Sequence, residues 1–265
     1  MPTAHLASLD VYYERAGAGD ALLFISGTGG DLRVKPNIFD SPLARAFDLV
    51  AYDQRGLGQT SKPDITYTMA DYADDAAALM DAIGWASAKV IGVSFGGMVA
   101  QELALRHPQK VERLVLGCTS PGGAGGASYP FHEIQHLTGE ERARRLIPVS
   151  DTRRDAAWAA ANPETHAQLV AMGAADPFAG EPGREMGARR QLEARSHHDT
   201  WDRLDHIACP TFIAAGSYDG VALPQTQERM DARIPGAELR FFDGGHLFLI
   251  QDRAATPAII EFLKR

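Results

Sequence analysis

The sequence predicts an α/β protein: a mostly parallel central sheet flanked by helices, with a helical segment inserted in the second half of the chain. Three observations predict it. Ala21–Ile25 is an unbroken apolar run and Val111–Gly117 is one apart from Glu112-Arg113, the pattern of strands buried on both faces rather than one. Helical patterns alternate with such runs, as parallel strands require for their crossovers. From residue 129 to about 204 the strand patterns stop and only helical ones remain.

Taken in order, residues 9–14 alternate and read as an edge strand that turns through Gly17 and Gly19. The run Ala21–Ile25 empties into Ser26-Gly27-Thr28-Gly29-Gly30, too rich in glycine for regular structure. A short helix over 42–47 precedes the strand Asp48–Tyr52, and 53–58 form a tight polar turn. Residues 69–84 place Met69, Tyr72, Ala73, Ala76, Leu79, Met80 and Ile83 on one helical face, and Gly84 stops the helix. A strand reaching Gly92 is followed at once by a helix to Arg106, which His107-Pro108 ends. After Val111–Gly117 the stretch 121–126 reads as a flexible hinge, and Pro148, Pro163, Pro177 and Pro182 divide the inserted segment into short helices. Strands at 210–215 and Glu238–Phe242, with helices at 225–233 and up to Leu263, complete the sheet pattern. The expected division is a core of 1–120 and 205–265, with 121–204 as a helical lid roofing the carboxyl edge of the sheet, where ligands of open α/β sheets bind.

Composition narrows the function classes. The 265 residues suffice for a large core, and 45% apolar with 23% charged is ordinary for a soluble protein. A net charge of −8 without a basic patch argues against nucleic acid as a partner. With no apolar segment of membrane-spanning length and no signal-peptide pattern in the first residues, the expectation is a cytoplasmic protein that does not engage membranes. Cys118 and Cys209 fall at opposite ends of adjacent predicted strands, too far apart for a disulfide, and read as reduced thiols. Neither metal-ligand spacing nor a phosphate-binding glycine fingerprint occurs, so no cofactor is implied.

The stretch with the most chemistry is Gly92-Val93-Ser94-Phe95-Gly96. A strand that becomes a helix within two or three residues strains the residue at the apex and requires small neighbours on either side. The apex serine is then held out at the sheet end, facing the free N–H groups of the new helix. The structural alternative is a plain glycine-rich turn. A serine hydroxyl needs a base to become a nucleophile, and that base needs an orienting group. Among nine histidines, His246 alone follows the last strand at the same sheet edge. Asp219 also follows a buried strand, giving the order Ser…Asp…His known for such elbows. Asp53, explained by a turn and pairing with Arg55, and Asp243, a turn former, are weaker choices. The oxyanion donors expected are the backbone N–H groups of Phe95 and Thr28.

With these residues in place the chain resembles the α/β-hydrolase fold family, in its small, lid-bearing form. The resemblance rests on 53–58, 92–98, His107-Pro108 before Val111, Gly216 with Asp219, and Gly245-His246. It implies a serine hydrolase similar to esterases, cofactor-free haloperoxidase-like hydrolases and 3-oxoadipate enol-lactonases. A serine at the apex, where haloalkane dehalogenases and epoxide hydrolases place an aspartate, favours attack on a carbonyl. One departure is Ser26-Gly27, where the family usually has His-Gly. The expected substrate is a small ester or lactone. The alternatives are a C–C bond hydrolase of ring-cleavage products and a non-catalytic ligand receptor on the same fold. Trp158 and Trp201 are candidate pocket walls, and Arg33, Arg189 and Arg190 candidate partners for a substrate carboxylate.

Overall fold

The computed structural model describes residues 2–7 and 9–265. Among them are eight strands in one sheet: β1 (Thr3–His5), β2 (Asp10–Gly17), β3 (Ala21–Ile25), β4 (Asp48–Tyr52), β5 (Ala88–Val93), β6 (Val111–Gly117), β7 (Thr211–Gly216) and β8 (Glu238–Phe242). They lie side by side in the order β1-β2-β4-β3-β5-β6-β7-β8. β2 is antiparallel to β1 and β4, and every later pairing is parallel. The expected edge strand is therefore one place inside the edge: β2 runs on to Gly17 and β1, too short to show a periodicity, lies outside it.

The unbroken apolar runs arise because helices cover both faces. Leu23, Ile25, Val50, Val90, Leu114, Leu116 and Ile213 point to the face covered by α2 (Met69–Ala82) and α3 (Phe95–Arg106). Their strand neighbours Leu22, Leu49, Ile91, Val115 and Phe212 point to the opposite face. That face is covered by α1 (Leu43–Ala46) and by helices near the C-terminus. Each such fully buried side chain contributes about 1.5–3 kcal/mol of transfer free energy. α2 starts on a capping box between Thr68 and Asp71, and Gly84, at φ +80°, lies just past its end.

Between β6 and β7 the chain forms α4 (Gly139–Ser150), α5 (Ala156–Ala161), α6 (Pro163–Ala174) and α7 (Arg184–Ser196), with 3-10 turns around them and no strand among the described residues. α8 (Pro224–Arg233), α9 (Phe248–Gln251) and α10 (Ala255–Lys264) complete the fold. Two expectations change here. Pro148 does not break its helix but sits in the last turn of α4. The glycines of 121–126 serve contact rather than flexibility: a Cβ on Gly122 would lie 1.9 Å from the His198 carbonyl oxygen, and one on Gly125 2.2 Å from the Trp201 ring. Among the described residues no helix is long and apolar enough to cross a membrane.

Candidate active site

β3 and β5 pair in parallel with Ile25 opposite Gly92, so the loops that leave their carboxyl ends stand side by side. Here the strand order reverses direction, the place where open α/β sheets form crevices. Ser94 occupies the apex between β5 and α3 at φ 55°, ψ −117°, a region that costs a non-glycine residue on the order of 1–3 kcal/mol. Its surroundings hold it there: the Ser94 N–H donates to the Gly117 carbonyl at 2.8 Å, and the Thr119 hydroxyl donates to the Ser94 carbonyl at 2.7 Å. The flanking glycines permit close approach. A Cβ on Gly92 would stand 2.2 Å from the Gly96 carbonyl oxygen, and one on Gly96 2.0 Å from that of Ile25.

β7 and β8 deliver the other two groups from neighbouring strand ends. Ser94 Oγ lies 2.9 Å from His246 Nε2, and His246 Nδ1 lies 2.8 Å from Asp219 Oδ2. Asp219 is buried, and its Oδ1 accepts the N–H groups of Val221 (2.7 Å) and Ala222 (3.0 Å), which fixes the carboxylate toward the ring. The bond to the carboxylate makes Nδ1 the protonated nitrogen and leaves the Nε2 lone pair facing the serine hydroxyl. The N–H of Phe95, first residue of α3, has no intrahelical partner. That of Thr28 likewise donates to no protein group among the described residues. Ser26-Gly27 finds its support in Gln54, whose Nε2 donates to the Ser26 carbonyl at 2.8 Å.

Three features of the site have no signature in the sequence. The end of α4 reaches into it: the Val149 carbonyl accepts the Gly220 N–H at 2.9 Å, and the Ser150 carbonyl accepts the His246 N–H at 2.6 Å. Helix-terminal carbonyls without intrahelical partners thus hold the loops bearing Asp219 and His246. The second is Cys118, at φ 39° after β6, whose sulfur lies within 4.8 Å of ligand atoms of both Asp219 and His246. Within this trio Asp219 directs one oxygen to the ring and the other to two backbone N–H groups. Burial opposes a charged His246, and the Cys118 sulfur and Asp219 carboxylate outweigh it, so its pKa is raised. A histidine that serves as a base must be neutral, the role expected of His246. The kcat/KM profile is therefore expected to rise with pH through a midpoint above the ordinary histidine value of about 6.5. Cys118→Ala should move that midpoint down, and an unchanged midpoint would remove the sulfur from the account.

The third feature is α7. Gln191 Oε1 accepts the Gly29 N–H at 2.9 Å, and Arg195 Nη1 donates to Thr28 Oγ1 at 2.9 Å. By contrast, the arginines picked from the sequence are engaged elsewhere. Arg33 is held by Asp31 and Glu181, Arg190 by Glu193 and Asp64, and the exposed Arg189 faces Glu193 at 3.7 Å. Trp201 packs on Gly125 with Arg233 over its ring and lines neither cavity at the Thr28 loop. Trp158 is half-buried on α5 with Arg154 above it. Asp53 does not pair with Arg55, which is bound to Asp75 at 2.7 and 2.8 Å. Its oxygens accept the N–H groups of Leu32 and Gln59 instead. Two cavities border the Thr28 loop: one of about 640 Å³ running toward Leu249 and Ile259, and one of about 760 Å³ beneath Phe131, Ala188 and Leu192. Both are of the size that holds small ligands.

An elbow serine bonded to a histidine, itself bonded to a buried carboxylate on this strand order, defines a class of protein. The α/β hydrolase fold family model matches residues 20–252, and the chain belongs to that family and is an enzyme of it. A poly(3-hydroxyalkanoate) depolymerase of Ectopseudomonas oleovorans is 32% identical over 247 residues, 92% of this chain and 84% of the relative. A putative carbamate hydrolase, RutD, of Variovorax paradoxus is 29% identical over 97% of each chain. Among solved structures, the enol-lactonase from Burkholderia xenovorans LB400 superposes with a TM-score of 0.79 over the whole of both chains at 24% identity, a likeness of fold.

Proposed function

We propose that the protein is a serine hydrolase that cleaves a small carboxylic ester or lactone through an acyl-enzyme on Ser94. The observation that carries the reading is the unbroken chain of hydrogen bonds from Ser94 Oγ through both nitrogens of His246 to Asp219. In this reading His246 Nε2 takes the hydroxyl proton as Ser94 Oγ attacks the carbonyl carbon, and Asp219 stabilises the imidazolium that forms. The N–H groups of Phe95 and Thr28 receive the oxyanion. The tetrahedral intermediate collapses with loss of the alcohol, which accepts the proton from His246. Water then repeats the sequence with His246 as base and releases the acid. The ester specificity draws support from the depolymerase, whose named substrate is a polyester, and the carbonyl chemistry from the carbamate hydrolase.

The inserted helices act as the lid over this site, contributing walls to the larger cavity through Ala188 and Leu192. Two free cysteines fit a reducing cytoplasm. Steady-state rates on p-nitrophenyl esters, enol-lactones and vinylogous diketones test the proposal. Turnover of the first two groups with none of the third is expected. Cleavage confined to the diketones would replace it with C–C bond hydrolysis. Tight ligand binding with Ser94 labelled by a fluorophosphonate but no turnover would point to a receptor.

A further inference from the structure

Arg195 is a buried cation with no direct ion pair among the described residues; the nearest carboxylate acting on it is that of Asp219, at a distance too long for contact. Only 6% of it is exposed, and none of its hydrogen bonds goes to a carboxylate. Nη1 donates to Thr28 Oγ1 and Nη2 to Ser128 Oγ (2.8 Å), Phe131 lies against the guanidinium at 4.7 Å, and Nε has no partner among the described residues. A buried arginine in a folded protein is ordinarily paired. Burial pulls its pKa down to about 10, which leaves it charged at neutral pH. It borders a cavity of about 80 Å³ that also touches Met98, Ser120, Ser128 and His198. Among the described residues Ser120 Oγ and His198 Nδ1, like Arg195 Nε, are buried without hydrogen-bond partners. One turn earlier on α7, buried Gln191 has its Nε2 unpartnered as well.

Unsatisfied buried donors around a void are costly unless something polar enters it. Resting on the acyl-hydrolase reading, we propose that this cavity receives a carboxylate of the substrate, so that the enzyme acts on esters or lactones of dicarboxylic acids. Arg195 Nε and the Ser120 hydroxyl donate to the carboxylate oxygens. A water beside it donates to His198 Nδ1, and a volume near 80 Å³ holds both, since a water occupies about 30 Å³. The position suits this use. Arg195 touches the side chain of Thr28, the residue whose backbone N–H is the proposed oxyanion donor, so the cation stands next to the loop that would hold the reacting carbonyl.

The test compares the mono-4-nitrophenyl esters of succinic, glutaric and adipic acid with the corresponding methyl 4-nitrophenyl diesters, which lack the charge. For at least one chain length kcat/KM should favour the half-ester at least tenfold. Arg195→Gln should collapse that ratio to near one, and Arg195→Lys should keep part of it. A latch that only positions Thr28 would lower both members of each pair equally; an unchanged ratio in Arg195→Gln, or no preference in the wild type, overturns the proposal. If neither ester of any pair is turned over, the acyl-hydrolase reading fails separately. Binding of free glutarate and adipate, measured by thermal shift on wild type and Arg195→Gln, then decides the subsite. Affinity weakened at least tenfold in the variant supports it, and equal shifts or none overturn it.

Discussion

Ser94→Ala is expected to lower kcat by about 10⁴- to 10⁶-fold on whichever ester the enzyme prefers, while the protein melts within a few degrees of the wild type. The two halves of that expectation have different origins. The catalytic half comes from the absence of a substitute: once the hydroxyl is gone, His246 Nε2 faces a methyl group and can act only on a water. The proposed oxyanion donors, the Phe95 and Thr28 N–H groups, remain, so a residual rate above the uncatalysed reaction should survive. The structural half comes from what Ser94 contributes to the fold. Its strained backbone is held by bonds from the Ser94 N–H to Gly117 and from Thr119 to the Ser94 carbonyl, all of which alanine keeps. A stopped-flow trace with p-nitrophenyl acetate checks the mechanism directly. Wild type should release a burst of nitrophenol matching the enzyme concentration, and the variant none. Full steady-state activity in Ser94→Ala would remove the acyl-enzyme from the mechanism.

Much of this arrangement is legible in the chain because it is local. The elbow is written in five consecutive residues, and buried parallel strands announce themselves as apolar runs such as Ala21–Ile25. Strand ends then imply a common edge, which singles out Asp219 and His246 without any contact between them being visible. The hidden parts depend on packing between distant segments. α7 turns Gln191 and Arg195, two polar residues, toward the core, so no apolar stripe marks its inner face. Gln191 meets Gly29 across 162 residues. Cys118 reads as an inert thiol at the end of a core strand, while its place beside His246 depends on β6 lying between β5 and β7. Pro148 departs from expectation for another reason: α4 is anchored at its end by the loops of Asp219 and His246, and that tertiary support outweighs the intrinsic penalty of proline near a helix terminus.

The second large effect is expected at Gly96, where the site and the fold share one contact. A Cβ there would sit 2.0 Å from the Ile25 carbonyl oxygen and 2.6 Å from that of Ser26. Both obstacles are backbone, and both belong to the segment that leads into Thr28. Neither can swing aside as a side-chain tip would. Gly96→Val must therefore push α3 away from β3 or displace the Ser26-Gly27 turn. Overpacking a tight core costs about 1–3 kcal/mol even where side chains can yield, so a loss of about 3 kcal/mol or more is expected here. For a chain of this size that lowers Tm by roughly 6–12 °C. The activity should fall further than the stability, because the same displacement separates the Phe95 N–H from that of Thr28, and a misplacement of about 1 Å can cost two orders of magnitude in rate. Gly84→Val supplies the comparison: its Cβ meets nothing within 4 Å, so the strain of φ +80° is felt at the end of α2 alone. That variant should lose stability while keeping kcat in the protein that remains folded. If Gly96→Val instead matches Gly84→Val in kcat, the close approach of α3 to β3 matters for the fold and not for the proposed oxyanion donors.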